Sequence, residues 1–312
     1  MASMEVEGAI QNKRGPHLAS YDFYARFGSA ILFKSWITGI SSIVHECSFD
    51  VVKSDEFSGL RVERIDRSKA CMIQGRFPTC ALDCAGTPPK TFRIRLNNLA
   101  LCLKSTTSTQ FVDLWALAGT CEIYVAIFEP GVEAYHYVNC IKTLEDEEPE
   151  IPMDEMSHRI FVEVDMALFK ATIRSAREHR GRTLQLQVYV SSAASEASRP
   201  RAAFVVDYKG DEVSGVVRLC GYGDVSQYRA GGDLTITAAD GDIGLHLCSI
   251  DEYETIFRAS FSVEYLSQIA NLGDKAPALI RLGTGLPLFV EVPYGSGGFT
   301  RFVLAPNVDD SC

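Results

Sequence analysis

Three cations, Lys170, Arg174 and Arg177, recur at i, i+4 and i+7 in a stretch that also carries Leu168, Phe169, Thr172, Ile173 and Ala176. On a helix of 3.6 residues per turn, that spacing puts the cations on one face and the apolar side chains on the other. Such a row can neutralise phosphates without reading bases, so its binding is indifferent to sequence and sensitive to salt. A second stretch sets Lys34, Thr38, Ser41 and His45 opposite Phe33, Trp36, Ile37, Ile40, Ile43 and Val44. A third offers Asn97 and Lys104, and a fourth Ser267, Gln268 and Asn271 beside Glu264. Any one of these rows is the ordinary solvated face of an amphipathic helix. The chain as a whole, however, has 30 Lys+Arg against 40 Asp+Glu in 312 residues, a net charge of -10. Bulk charge therefore argues against coating nucleic acid, and a basic row in so acidic a chain implies a local DNA-facing surface on an acidic body.

Residue types suited to catalysis do not assemble into a known pattern. Gly295-Ser296-Gly297-Gly298 displaces the serine from the G-x-S-x-G frame. Gly221-Tyr222-Gly223 lacks the third glycine of a dinucleotide fingerprint, and neither a phosphate loop nor H-E-x-x-H occurs. The six histidines (17, 45, 136, 158, 179 and 246) do not cluster. Cys80 and Cys84 are a close pair without a second Cys/His pair at zinc-finger spacing. The ten cysteines lie mostly in apolar strings such as Leu101-Cys102-Leu103 and Leu247-Cys248, where a reduced thiol acts as a small core residue. No catalysis, cofactor or metal is expected.

The elements that must carry the rows are short helices set among strands. Alternating stretches such as Glu122–Phe128, Leu184–Val190, Ala203–Tyr208, Leu234–Ala238 and Leu288–Val292 read as antiparallel strands. Only four segments read as helices: Ser29–His45, Arg95–Ser105, Asp165–Glu178 with Asp165 as N-cap, and Ser262–Leu272. One short helix recurring among strands at near-constant spacing implies a duplicated unit. Ser191–Arg201 and Gly221–Gly232 read as loop insertions, and the acidic Lys142–His158, with Pro149 and Pro152, as a linker between two similar halves. No apolar run reaches the ~18 residues of a membrane span. The polar Met1–Ser20 lacks the apolar stretch of a signal peptide, so an intracellular chain is expected.

Within this pattern, Ala25-Arg26-Phe27 and Ser29-Ala30-Ile31-Leu32-Phe33-Lys34, running on through Glu46 to Phe49-Asp50, resemble the opening of the proliferating cell nuclear antigen family of sliding clamps. Ile65 to Gln74 is similar to that family's "MDSSHVSLVQ"-like strand. Phe169 and Arg174 fall where its third helix has Phe and Arg, and Tyr265-Leu266 match the fourth helix. Leu286-Pro287-Leu288-Phe289-Val290-Glu291, followed by Phe302-Val303-Leu304-Ala305-Pro306-Asn307-Val308, resembles the "PLVVEY … YLAP" terminus. The likeness covers roughly Tyr21–Asp310.

The resemblance implies an α+β DNA clamp fold: two similar domains of antiparallel sheets, each with two helices, assembling into a ring. Residues 1–20 are then an N-terminal extension, 21–140 the first clamp domain, 141–158 the connecting linker, and 159–312 the second domain with loop insertions. It also implies a homotrimeric, non-enzymatic DNA polymerase processivity factor that encircles duplex DNA regardless of sequence. Its DNA-facing cations would be Lys34, Lys104, Lys170, Arg174 and Arg177. A pocket for partner peptides would use Ile65, Lys69, Ala70, Met72, Leu144, Ile151, Pro152, Pro287, Val303, Leu304, Ala305, Pro306, Asn307 and Val308. On the residues alone, Ile65, Met72 and Pro287 are equally core or strand-end positions. The partners implied are a DNA polymerase, a clamp loader and nucleases or ligases with PIP-box-like peptides, in the nucleus or at a viral replication site; no membrane partner is expected. Val303 and Ala70 depart from the family pattern and imply a wider or shallower pocket, and the more acidic linker favours basic partner peptides. A checkpoint-type subunit of a heterotrimeric ring and a non-ring viral processivity factor are the alternatives.

Overall fold

In the computed structural model, residues 21–86, 90–129, 131, 137–144, 158–191, 201–209, 214–222, 225–238, 253–272, 277–295 and 297–307 are described. The chain divides into two compact units. The first comprises Met1–Arg67, Ile73–Ile151 and Tyr294–Thr300, and the second Ser68–Met72, Pro152–Pro293 and Arg301–Cys312.

The first half runs β1 (Tyr21–Phe27), α1 (Ala30–Ser41), β2 (Glu46–Lys53), β3 (Ser58–Ile65), β4 (Cys71–Pro78), β5 (Ala81–Cys84), β6 (Lys90–Arg95), α2 (Leu96–Cys102), β7 (Phe111–Leu117), β8 (Glu122–Phe128) and β9 (Tyr137–Lys142). The second runs β10 (Ile160–Val164), α3 (Met166–Glu178), β11 (Thr183–Ser191), β12 (Arg201–Lys209), β13 (Ser214–Tyr222), α4 (Val225–Arg229), β14 (Leu234–Ala238), β15 (Tyr253–Ser262), α5 (Val263–Ala270), β16 (Ala278–Leu282), β17 (Leu288–Tyr294) and β18 (Gly298–Leu304). The order of elements repeats, with α4 the one addition. So does the strand order: β6-β2-β3-β4 corresponds to β15-β11-β12-β13, and β5-β1-β7-β8-β9 to β14-β10-β16-β17-β18. A duplicated unit is what the helix spacing implies.

Each half buries the apolar stripe of its helices against its sheets. In the first unit α1 seats Phe33, Trp36, Ile37 and Ile40 inward. Phe27 stacks on Phe33 at 4.1 Å, and Phe49 meets both Trp36 and Phe92 within 5.7 Å. Each such side chain removed from water contributes roughly 1.5–3 kcal/mol, which is why the stripe fixes the helix to the sheet. In the second unit α3 buries Met166, Phe169, Thr172, Ile173 and Ala176 and packs against α5.

Several sequence expectations need correcting. The stretch around Gly221–Gly232 holds a fifth helix, α4, rather than only a loop. One pairing is parallel, β10 with β14, whereas the corresponding β1 and β5 are antiparallel. β13 and β14 pair antiparallel, so the segment carrying α4 between them turns the chain back, where β4 and β5 are joined by only Thr79 and Cys80. Arg159 fixes that turn by donating to Tyr228 O (2.9 Å) and Gly232 O (2.7 Å), with its guanidinium over the Tyr228 ring. The first helix stops at Ser41 and the second at Cys102, so His45 and Lys104 both lie beyond their helices. The cysteines are less uniformly internal than their apolar neighbours suggest. Cys47 and Cys71 are buried, Cys84 and Cys102 half-buried, and Cys80, Cys121 and Cys140 exposed. Leu101 points outward, 67% exposed, which draws Cys102 part of the way out with it. Ser192–Pro200 within the first expected insertion lies outside the described residues, as does most of the expected linker.

Candidate nucleic-acid interface

In the second unit, three cations of one helix line a single groove. Asp165 caps α3, its carboxylate accepting from Ala167 N (2.7 Å) and Leu168 N (3.0 Å), as its position before the apolar stripe implies. With the stripe turned inward, Lys170, Arg174 and Arg177 line one groove of about 380 Å³ between α3 and α5. Ile173, Glu178, Ser267, Ala270 and Asn271 complete its walls. Arg177 donates to Ser267 Oγ at 2.9 Å, which holds the guanidinium in place while leaving most of its donors free for another acceptor. Ser267 is 8% exposed, so the hydroxyl belongs to the groove wall rather than to a solvated face.

The arginines of the sheets are used differently. Arg26 grips Asp113 through two bonds of 2.8 Å, Arg61 pairs with Asp50, Arg93 and Arg95 share Glu46, and Arg281 and Arg301 share Glu291. Among the described residues Arg174 and Arg177 have no carboxylate within ion-pair distance. These sheet arginines are thus neutralised, whereas Arg174 and Arg177 on α3 are not.

In the first unit the expected cations are arranged otherwise. Lys34 is half-buried, and its Nζ donates to the backbone oxygen of Lys104 at 2.6 Å. Lys104 itself is exposed in the turn after α2. Leu101 is exposed on α2, and Ile31 and Leu32 are each 36% exposed on the first turn of α1.

The expected partner-pocket residues are distributed between the units. Ile65 ends β3, and Leu144 bridges Arg93, both in the first unit. In the second unit, Ala70 O accepts from Ala305 N at 3.0 Å, and Asn307 N donates to Ser260 O at 2.8 Å. Lys69 holds a left-handed backbone at φ 60, and the adjacent Ser68 hydroxyl lies 2.6 Å from the Tyr265 hydroxyl. Pro287 O lies 2.9 Å from the His158 ring nitrogen Nε2. Met72, Val303 and Leu304 are buried, Ala305 is exposed, and Pro306 and Asn307 are half-buried. Ile151, Pro152 and Val308 lie outside the described residues. The hydroxyls of Ser68 and Tyr265 and the hold of Ser267 on Arg177 are contacts that the sequence reading lacks. Ser267, Ala270 and Asn271, at i, i+3 and i+4 on α5, are the signal: small and polar positions that let a second helix approach.

Among the described residues no cluster of His, Cys, Asp and Glu could hold a metal ion, and no helix is long and apolar enough to cross a membrane. Burial pushes the Cys80, Cys84, Cys102 and Cys140 thiols above their ordinary range, the opposite of what an activated nucleophile needs.

No protein-family profile matches the chain, and no curated protein matches it at a significant level. Solved structures do. Proliferating cellular nuclear antigen from Entamoeba histolytica matches with a TM-score of 0.68 at 16% identity, over 92% of this chain and 99% of that one. This chain has the DNA clamp fold. PCNA from Thermococcus kodakaraensis matches equally well, with a TM-score of 0.68 at 16% identity over 91% of this chain and 100% of that one. The PCNA2-PCNA3 complex from Sulfolobus tokodaii gives a TM-score of 0.63 at 15% identity over 91% and 99%. The clamp fold accounts for the repeated order of elements and for the two short helices that each half shares with the other. Among the described residues, the segment carrying α4 is an addition to that repeat.

Proposed function

We propose that this chain is a subunit of a DNA sliding clamp: a non-enzymatic processivity factor that encircles duplex DNA and brings replication and repair enzymes to it. The observation that carries this reading is the clamp fold, matched over 91% or more of this chain and 99% or more of each solved clamp. The row Lys170, Arg174 and Arg177 supports it, because a ring that holds DNA topologically needs phosphate contacts weak enough to slide. Lys34 and Lys104 are the proposed contacts in the first half. Polymerase, clamp loader and nuclease or ligase peptides dock at the residues around Lys69–Met72, Pro287 and Val303–Asn307, where the exposed Lys69 and Ala305 and the half-buried Ala70, Pro306 and Asn307 offer a surface for a short anchored peptide. The working assembly is a homotrimer acting in the nucleus, or at a viral replication site. A heterotypic ring is the second reading, supported by the match to a PCNA2-PCNA3 complex, in which two clamps are solved together.

Topology gives the test. Protein assembled on a nicked circular plasmid is expected to stay bound at about 0.2 M salt, where phosphate contacts are much weakened, and to be released when the plasmid is cut once. Equal retention on cut and uncut plasmid, or none on either at any salt, would contradict encirclement.

A further inference from the structure

We propose that residues 1–20 strap the five-stranded sheet of the first unit on the face turned away from α1, covering its middle strands β1, β7 and β8. That sheet is buried on both faces. β7 and β8 each bury five consecutive residues, Val112–Ala116 and Ile123–Ile127, where a sheet with one face in water alternates buried with exposed. One face is covered by the rest of the half. Phe23, Ala25 and Phe27 of β1 stand there opposite Ala116, Leu114 and Val112. Phe23 stacks on Phe92 of β6, and Phe27 meets Phe33 of α1 and Phe77 of β4. The helix and the second sheet of this half thus lie on that side.

The face turned away from α1 carries a cluster of its own. The register sets Tyr24, Trp115, Tyr124 and Cys140 in one row across β1, β7, β8 and β9. A bulge between Tyr21 and Phe23 turns Tyr21 onto the same side, opposite Leu117. Tyr21, Trp115, Tyr124 and Ala126 form one buried cluster, with Tyr24 and Leu117 against it. Trp115 stacks on Tyr124 at 5.6 Å and is 2% exposed. Neighbouring rings shield a side chain laterally, but only a further layer shields it from above. At the margins that layer stops, since Ala81 of β5 and Cys140 of β9 are exposed. The covered width is two strand spacings, about 10 Å, which fits a single run of chain rather than a domain. Residues 1–20, which lie outside the described residues, enter at this cluster. Tyr21 is the first residue of β1 and is itself buried in the cluster, so the chain before it arrives at the edge of the rings. Three or four extended residues span about 10 Å, and the nearest, Pro16, His17, Leu18 and Ala19, are largely apolar. Keeping the rings from water is the gain that holds the strap in place. The loop between β8 and β9 enters at the other end of the sheet, beyond Phe128.

The experiment places a benzophenone photocrosslinker in the full chain, in turn at His17 and at Leu18. Successive residues of an extended run point to opposite sides, so at least one of the two faces the sheet. Irradiation is expected to join that position to peptides of β1, β7 or β8 within the same chain. Crosslinks from neither position to those strands overturn the strap. Crosslinks to them that join a heavy-isotope chain to a light one, in a mixed sample, overturn the same-chain occupant in favour of a second copy. A second measurement reads the face itself. Replacing Met4, Val6, Ile10 and Leu18 together with Ser is expected to shift Trp115 emission to the red and to increase its quenching by acrylamide. Trp36, wholly buried in the other core, supplies a constant background, and Trp115→Phe identifies the part that changes. Trp115 emission and quenching unchanged by the Ser substitutions overturn residues 1–20 as the cover.

Discussion

At the scale of single residues, arginine has two jobs in this molecule, and burial separates them. Asp113 is wholly buried and is met by two bonds from Arg26 and one from the Tyr24 hydroxyl, so that pair is a structural fixture. Removing one partner of such a pair leaves a buried charge unmatched, whereas an exposed cation can be lost at little cost to the fold. Arg174 is exposed on α3 and belongs to the second kind. The tyrosines carry a pH signature. Burial pushes the Tyr21 hydroxyl up to about 12, and burial also raises Tyr124, with the Glu122 carboxylate beside it, and Tyr294. Each holds its proton more tightly folded than unfolded. Their contribution to stability is therefore complete below the ordinary tyrosine value near 10 and is lost as pH rises toward and beyond 12. The urea midpoint is expected to fall across that window, and to fall less steeply in Tyr21→Phe. The same pH dependence in that variant would contradict the assignment. The cation row of α3 is legible in the sequence because helical period is a local property. The partner that holds Arg177 is not, because Ser267 lies 90 positions away and only packing brings it near.

At the scale of elements, local signals locate the helices better than they end them. Asp165 and Ser29 act as N-caps where their types and positions imply, each accepting from a backbone amide of the first turn. The apolar stripes continue past Ser41 and Cys102, yet the helices stop there. Val44 and Leu103 are still buried, but on turns that lead into the next strand rather than on further helix. Helix α4 escapes notice because a five-residue helix flanked by glycines has no period to read, and the turn it builds between β13 and β14 goes unread with it. Asp165→Ala is expected to lower stability by about 1 kcal/mol in chemical denaturation, with Asp165→Ser retaining most of it. No change in either variant would mean that packing alone holds the start of α3, and the cap would then have no part in placing the cation row.

At the scale of the whole molecule, two halves repeat one order of strands and helices, and the fold they make is the DNA clamp fold. Duplication is visible in the sequence as evenly spaced helices, while identities of 15–16% show how little sequence the chain shares with the solved clamps. Fold is legible at that distance because burial and period constrain it. The proposed partner pocket is less so, since its members come from widely separated stretches and Met72, Val303 and Leu304 are buried as core residues are. β9 ends the five-stranded sheet of the first unit, and a strand at a sheet edge offers unpaired backbone groups to another chain. A ring of like subunits resolves that exposure by closing on itself. The central claim is therefore a statement about assembly, and molar mass by light scattering across a concentration series tests it most directly. Three copies of a 34.3 kDa chain give about 103 kDa, and a species of that mass is the result expected. A mass of 34.3 kDa at every concentration, unchanged by added circular duplex, would contradict a self-assembled ring.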